Sequence, residues 1–314
     1  MYVVTDQDIT SLQPGLAIEV MREALLAYGR DALIAPPRLF SSAHDEGIVL
    51  SAGALLGESF GFRAYYHGNR EGNQVVASFD RASWKADVIA IGHLMGERRT
   101  GAIGGVAVDA LSSRESSTIA FIGTGPQAYS QLWAINAVRS LSEVRVFSRG
   151  VVGREAFAKH AQEVYNISTI TAESAEAAVR DADIVILSTS SNVPVIETDW
   201  IKPGAHVTTM GRKSAKFHEC PIDLVANASV VVTDSIPQLE DYEGVPIDRA
   251  AGRSALSLSE LLSINDSSEP WSRSEPGTSV FISVGLAGTE ALLARRWVEA
   301  MSPEERAQLV EVQT

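Results

Sequence analysis

STIAFIGTGPQAYSQLWAINAVR, residues 117–139, decides the fold. Residues 117–123 form an apolar run of strand character, and residues 127–139 read as a helix. They join at Gly123-Thr124-Gly125-Pro126-Gln127-Ala128, a G-x-G-x-x-A turn. Between a strand and a helix, Gly123 makes the tight bend and Gly125 lets backbone approach a pyrophosphate. Ala128 lets the helix pack close to the strand, and the helix N-terminus faces the anion. The context predicts a dinucleotide site, with a purely structural glycine turn as the alternative.

Downstream of that turn, apolar strands alternate with helices. The strands are 143–148, 182–190, 205–211 and 228–234, and the helices are 154–165 and 174–182. Strands that are apolar throughout need cover on both faces, which implies a parallel α/β sheet. Upstream, the grammar differs. A helix over 14–33 is followed by short β-rich segments at 38–40, 47–52, 61–66, 75–80 and 85–91, which suggests an antiparallel or mixed sheet. Residues 97–112 form a helix loaded with small residues, residues 265–278 a polar, Pro-rich loop, and residues 285–299 a last helix packing back on the first domain. The expected fold class is α/β. A Rossmann domain over 114–285 joins a discontinuous α+β substrate and dimerisation domain of 1–113, completed by 286–314 and lying across a cleft.

The second strand of the α/β region, 143–148, bears on which dinucleotide binds. NAD sites usually end this strand with a carboxylate for the ribose hydroxyls. Here Glu143 opens the strand, and Ser148-Arg149 close it, with Arg154 a few residues on. A hydroxyl and a guanidinium suit a 2′-phosphate, so the expectation is NADP rather than NAD. Arg149 as a solvated loop arginine is the alternative.

Composition narrows the function classes. The 314 residues carry 26 basic and 39 acidic side chains, a net charge of -13, which disfavours a nucleic-acid partner. Cys220 is the one cysteine, so no internal disulfide forms. The first residues show no signal-peptide pattern, and no apolar run is long enough to span a membrane, so the expected location is cytoplasmic. His206 and His218 show no metal-ligand spacing with Cys220 or Asp223, and no metal is expected. No nucleophile elbow or Ser-His-Asp order appears. His67 and His93 are candidate proton shuttles, with a structural role as the alternative.

Several motifs together resemble the ornithine cyclodeaminase / mu-crystallin family over nearly the whole chain. They are Pro37-Arg38, Arg63 with Tyr66 and Asn69, Arg99-Thr100-Gly101-Ala102, GTGPQA at 123–128 and VFSR at 146–149. ADIVILSTSS at 182–191, DWIKPGAHVTTMG at 199–211, Glu219 and VFISVGLAGTEA at 280–291 follow in family order. The resemblance implies an NAD(P)-dependent oxidoreductase at the C–N bond of a small α-imino or α-amino acid, assembled as a homodimer through the sheet of the first domain. It implies substrate-carboxylate binding by Arg99 and Arg38, with Gly285 alongside, and cofactor contacts from Ser188, Thr189, Ser190 and Met210. A planar guanidinium pairs bidentately with a carboxylate, which gives the arginine roles independent chemical sense, with a surface salt bridge as the alternative for Arg99 and for Arg38.

Two positions depart from the family pattern. Most members carry lysine where this chain has Arg63, and arginine remains charged in proteins, so it binds rather than transfers a proton. Cyclodeaminases carry an aspartate where this chain has Lys213. That lysine reads as a proton donor or acceptor, as a binder of a second acidic group, or as a solvated loop residue. The loss of the aspartate favours a ketimine reductase or amino-acid dehydrogenase. A cyclodeaminase or siderophore-precursor oxidoreductase with internal hydride recycling, and a non-catalytic NADP and small-ligand binder, are the alternatives.

Overall fold

The structure, a computed structural model, describes residues 1–43, 46–67, 73–242, 244–265 and 277–313. Asn69, the side chain of His67 and most of the expected 265–278 loop lie outside the described residues. The chain divides into two units, Met1–Arg99 with Gly285–Thr314, and Thr100–Val284.

The first unit opens with β1 (Tyr2–Thr5), α1 (Asp6–Ile9), α2 (Pro14–Gly29), β2 (Leu33–Ile34), β3 (Leu39–Ala43) and β4 (Glu46–Leu55). It continues through β5 (Ser59–His67), β6 (Val75–Asp80) and β7 (Ala86–Ile91) to α3 (Leu94–Leu111), which enters the second unit after Arg99. The second unit follows with β8 (Thr118–Ile122), α4 (Pro126–Val138), β9 (Glu143–Phe147), α5 (Val151–Tyr165), β10 (Ser168–Thr171), α6 (Ala175–Val179), β11 (Ile184–Leu187) and β12 (His206–Thr209). It closes with α7 (Ile222–Asn227), β13 (Val230–Thr233), α8 (Ile236–Glu240), α9 (Ile247–Ala250), β14 (Leu256–Ser257), α10 (Leu258–Asn265) and β15 (Ser279–Ile282). The chain then returns to the first unit with α11 (Thr289–Ala300), α12 (Pro303–Arg306) and β16 (Val310–Glu311).

The sheet of the first unit runs β16-β1-β7-β6-β5-β4-β2, with β3 also paired to β4. It is mixed, because β1 lies parallel to β7 while the other pairs are antiparallel. Strand alternation gives it two distinct faces. Along β4, Gly47, Val49 and Ser51 are buried and Ile48, Leu50 and Ala52 exposed. Arg63 lies opposite Ser51 and Val76, so it shares the inner face. Helix α11 packs against β5, β6, β7 and α2. The approach is close because Gly61 has no side chain: a Cβ there would stand 2.3 Å from Cβ of Ala291. Gly53 and Gly288 meet the same way, a Cβ on Gly288 falling 2.7 Å from the Gly53 Cα. These two contacts hold the first turn of α11 against the sheet.

The second unit carries an all-parallel sheet in the order β10-β9-β8-β11-β12-β15-β13-β14. Both faces are covered. Ile119 and Phe121 of β8 join a cluster with Leu132, Val146 and Phe157, while Ala120 and Ile122 join the opposite cluster with Val185, Val207 and Val280. The small residues of α3 do pack closely, since a Cβ on Gly101 would lie 2.3 Å from the Ser130 carbonyl oxygen. Arg139 closes the C-terminal end of α3, donating to the carbonyls of Val108, Asp109 and Ser112 and pairing with Asp109 at 2.8 Å. No helix among the described residues is long and apolar enough to cross a membrane.

Candidate functional site

From β8 the second unit builds outward to β9 and β10, then returns to place β11 on the other side of β8. That reversal creates a switch point at the C-terminal ends of β8 and β11, where open α/β sheets bind ligands. The glycine turn stands there. Gly123 has φ +101°, and a Cβ on it would lie 2.4 Å from the Ser188 carbonyl oxygen, so only glycine fits. Gly125, the N-cap residue of α4, would meet nothing within 4 Å. Ala128 is fully buried in the β8 cluster. The turn thus leaves an open approach in front of a 13-residue helix N-terminus, which fits a pyrophosphate.

Around the turn, Thr124 donates to the Ser148 hydroxyl at 3.2 Å, and Ser148 donates to the Gly150 carbonyl at 3.1 Å. Arg149 is exposed beside Gly150, the N-cap of α5. Arg154 is turned inward, donating to the Ala172 carbonyl at 3.1 Å with its guanidinium 5.4 Å from the Phe147 ring centre. Glu143 is held by Arg145 at 2.6 Å. The loops carrying Ser188, Thr189, Ser190 and Met210 are laced by Glu219, which is fully buried. Its carboxylate accepts from the Thr189 amide at 2.7 Å, the Thr189 hydroxyl at 2.6 Å, the Thr209 hydroxyl at 3.0 Å and the Met210 amide at 2.9 Å. Sequence reasoning noticed Glu219 only as a family match and gave it no role.

Lys213 is not a solvated loop residue. It is 4% exposed, donates to the carbonyls of Ser283 and Met210 (3.3 Å to the latter), and sits 5.1 Å from the Tyr242 ring centre. Cys220 is buried, and burial pushes its thiol well above the ordinary range, so it is no nucleophile at neutral pH.

The first unit holds a second cluster. Arg63 on β5 donates from Nε to Gln74 at 2.8 Å and from Nη1 to Oε1 of Glu290 at 3.1 Å. Arg99 on α3 donates from Nη2 to the same Oε1. One buried carboxylate therefore joins the two arginines that the sequence placed at the substrate. Burial alone would raise the Glu290 carboxyl, but Arg99 and then Arg63 hold it down at about 2. Its place in the first turn of α11 also favours a negative charge. Gly96 makes room for the Arg63 guanidinium, and Gly285, at φ +87°, lies against Arg99, where a Cβ would come within 2.7 Å of Nη1. Gln74 donates its other amide end to Nδ1 of His93 at 3.0 Å, linking that histidine to Arg63. Asp6 caps α3 through the amides of His93 and Leu94, at 3.0 and 2.8 Å. Burial raises the carboxyl of Glu97, against the pull of His93 and toward the same side as Asp6. Arg38 is half-buried on the segment leading into β3.

The model of the ornithine cyclodeaminase/mu-crystallin family matches residues 75–302. The chain belongs to that family. Among its relatives, the Delta(1)-pyrroline-2-carboxylate reductase of Bacillus cereus is 32% identical over 200 residues, 63% of this chain and 61% of the reductase. The chain therefore matches less than two thirds of that relative's length. The ketimine reductase mu-crystallin of Macropus fuliginosus is 26% identical over 220 residues, 70% of this chain and 67% of that protein. Among solved structures, the Thermococcus litoralis Delta(1)-pyrroline-2-carboxylate reductase in complex with NADH and L-proline shares the fold at a TM-score of 0.85 and 23% identity. It covers 99% of this chain, which covers 100% of it.

Within the family frame, Gln74 and Glu290 are what sequence reasoning missed. Glu290 lay inside a quoted motif, but its partners are 191 and 227 residues away, and no local pattern announces such a pairing.

Proposed function

We propose that this protein is an NADP-dependent oxidoreductase that reduces the C=N bond of a small α-imino acid, a ketimine reductase or, in reverse, an amino-acid dehydrogenase. The observation that carries the reading is the pair of arginines, the buried Arg99 and the part-buried Arg63, converging on Glu290 in the first unit. Buried guanidiniums in a ligand-binding family suit a substrate carboxylate. Arg99 retains its Nε, which is buried with no hydrogen-bond partner, to donate to that carboxylate. Arg38 is assigned to the same task, with Gly285 keeping backbone close to Arg99.

The dinucleotide is assigned to Gly123, Thr124, Gly125, Pro126, Gln127 and Ala128, with Ser188, Thr189, Ser190 and Met210 on the loops that Glu219 laces. When bound, it supplies the hydride that reduces the imine carbon. The protein's own residues bind and orient: the arginines fix the carboxylate and hence the α-carbon, and placement of this kind is worth several kcal/mol, about 7 at the low end. An imine protonated in solution arrives already electrophilic, so the chain needs no carboxylate at position 213. A buried, carbonyl-bound Lys213 suits this reading better than one that needs a base there.

NADP over NAD is supported by the exposed Arg149 at the end of β9 and by the capture of Glu143 in an ion pair with Arg145. A homodimer is supported by the outer face of the first sheet. Leu39, Ile48, Leu50, Tyr66, Val75 and Ile91 are exposed, and the strand register puts them on one face. Contiguous apolar surface of this kind marks an interface.

The test is a panel of cyclic and acyclic imino acids assayed in parallel for NADPH oxidation and ammonia release. Net NADPH oxidation with a cyclic ketimine carboxylate supports the reading. Ammonia release from a diamino acid without net cofactor turnover replaces it with a cyclodeaminase. NADPH binding without turnover over the whole panel replaces it with a binding protein.

A further inference from the structure

Resting on that reading, we propose that Glu290 is a positioning residue: a built-in carboxylate that occupies part of the arginine pair and restricts it to substrates bearing one carboxylate. Its Oε1 accepts from both Arg63 and Arg99, and its side chain is 2% exposed, against 13% and 4% for the arginines. Two guanidiniums and one carboxylate leave this trio a single net positive charge. A substrate monocarboxylate neutralises it. A second substrate carboxylate would have to be buried beside Glu290 with none of the trio's charge left to offset it and only the half-buried Arg38, outside the trio, as a counter-charge, which is costly.

The trio is also under-satisfied as it stands. Oε2 of Glu290 and Nε of Arg99 are both buried without a hydrogen-bond partner. Such groups in a folded protein call for an explanation. An incoming carboxylate satisfies the Arg99 donor, whereas the unpartnered Oε2 repels a second anion. The charge on Glu290 persists throughout the working pH range, because the arginines hold its carboxyl down. Its position is fixed by backbone. Gly288, the N-cap of α11, has φ +80°, and the glycine contacts at Gly53 and Gly61 pin the first helical turn to the sheet. Glu290 therefore acts on substrate choice in two ways: it aims both guanidiniums, and it supplies the repulsive element that specificity requires.

The experiment measures, by calorimetry on the full chain loaded with NADPH, the affinity for pyrrole-2-carboxylate and for pyrrole-2,5-dicarboxylate. Wild type is expected to favour the monocarboxylate. Glu290→Gln, which leaves two guanidiniums uncompensated, is expected to shift the mono-to-dicarboxylate affinity ratio toward the dicarboxylate by about tenfold or more, the size of one like-charge repulsion removed. Glu290→Asp is expected to keep the wild-type ratio. In Glu290→Ala, added acetate is expected to restore monocarboxylate reduction by lowering KM with little change in kcat. A purely structural role predicts loss of affinity for both ligands alike and no acetate rescue, and that result overturns the proposal. Tighter binding of the dicarboxylate by wild type also overturns it, and this needs no variant to fold. If wild type binds neither ligand and reduces no imine, the functional reading fails and this inference with it. If wild type binds and reduces but the ratio does not move in Glu290→Gln, this inference fails alone.

Discussion

Glu290→Gln makes a prediction about stability that is independent of any ligand. The Glu290 carboxyl titrates at about 2 here and near 4.5 when exposed. At about 1.4 kcal/mol per pH unit of separation, its ionisation contributes, net of the cost of burial, about 3 kcal/mol at neutral pH. That agrees with the roughly 3–5 kcal/mol lost when one partner of a buried ion pair is removed. Because the folded carboxyl titrates below the unfolded one, the contribution is fully present above about pH 4.5 and is lost as pH falls toward 2. Urea denaturation of wild type and Glu290→Gln at pH 7, 4 and 2.5 measures it. The stability gap is expected to be about 3 kcal/mol at pH 7 and to close steadily through the acid range. Other carboxylates titrate alike in both proteins and cancel. A gap that stays constant between pH 7 and 2.5, or one near zero at pH 7, refutes the reasoning, because Glu290 would then not be the ionised partner of Arg63 and Arg99.

Arg149→Ala is expected to weaken NADPH binding tenfold to a hundredfold, from about 1.5–3 kcal/mol of charge-assisted bonding. NADH binding should be nearly unchanged; equal loss for both cofactors, read by fluorescence titration, removes Arg149 from the 2′-phosphate. Gly123→Ala and Gly125→Ala are expected to differ in kind. The first meets a positive φ and a carbonyl 2.4 Å away and lowers the melting temperature, whereas the second meets nothing within 4 Å and leaves melting nearly unchanged while weakening dinucleotide binding. Ile48→Glu, on the apolar outer face of the first sheet, is expected to convert a dimer to a monomer in light scattering. A wild type that is already monomeric removes the dimer from the account.

The α/β half of the fold was legible because its signals are local. A fully buried strand such as β11, Ile184–Leu187, reads as an unbroken apolar run, and the glycine turn is a six-residue pattern with a backbone reason for each glycine. The antiparallel strands were also legible, and β6 fell at the expected 75–80. Strand β1 was not foreseen. Tyr2–Thr5 is four residues long, and what makes it a strand is pairing with β7 and with Val310–Glu311 at the other end of the chain. The burial of Lys213 was open for the same reason: Ser283, whose carbonyl it meets, is 70 residues away. In the arginine cluster, the sequence marked the cations by residue type and motif. It was silent on Glu290 and Gln74, because a glutamate in the first turn of a helix is ordinarily a solvated, dipole-favoured residue.

The most direct test of the proposed chemistry follows a label. NADPH carrying deuterium at C4 on the transferred face is incubated with the protein and Δ1-pyrroline-2-carboxylate, and the amino-acid product is examined by mass spectrometry and NMR. The account predicts one deuterium at the α-carbon for each NADPH consumed. Product without deuterium, deuterium that stays with the cofactor while ammonia is released, or no product at all contradicts it.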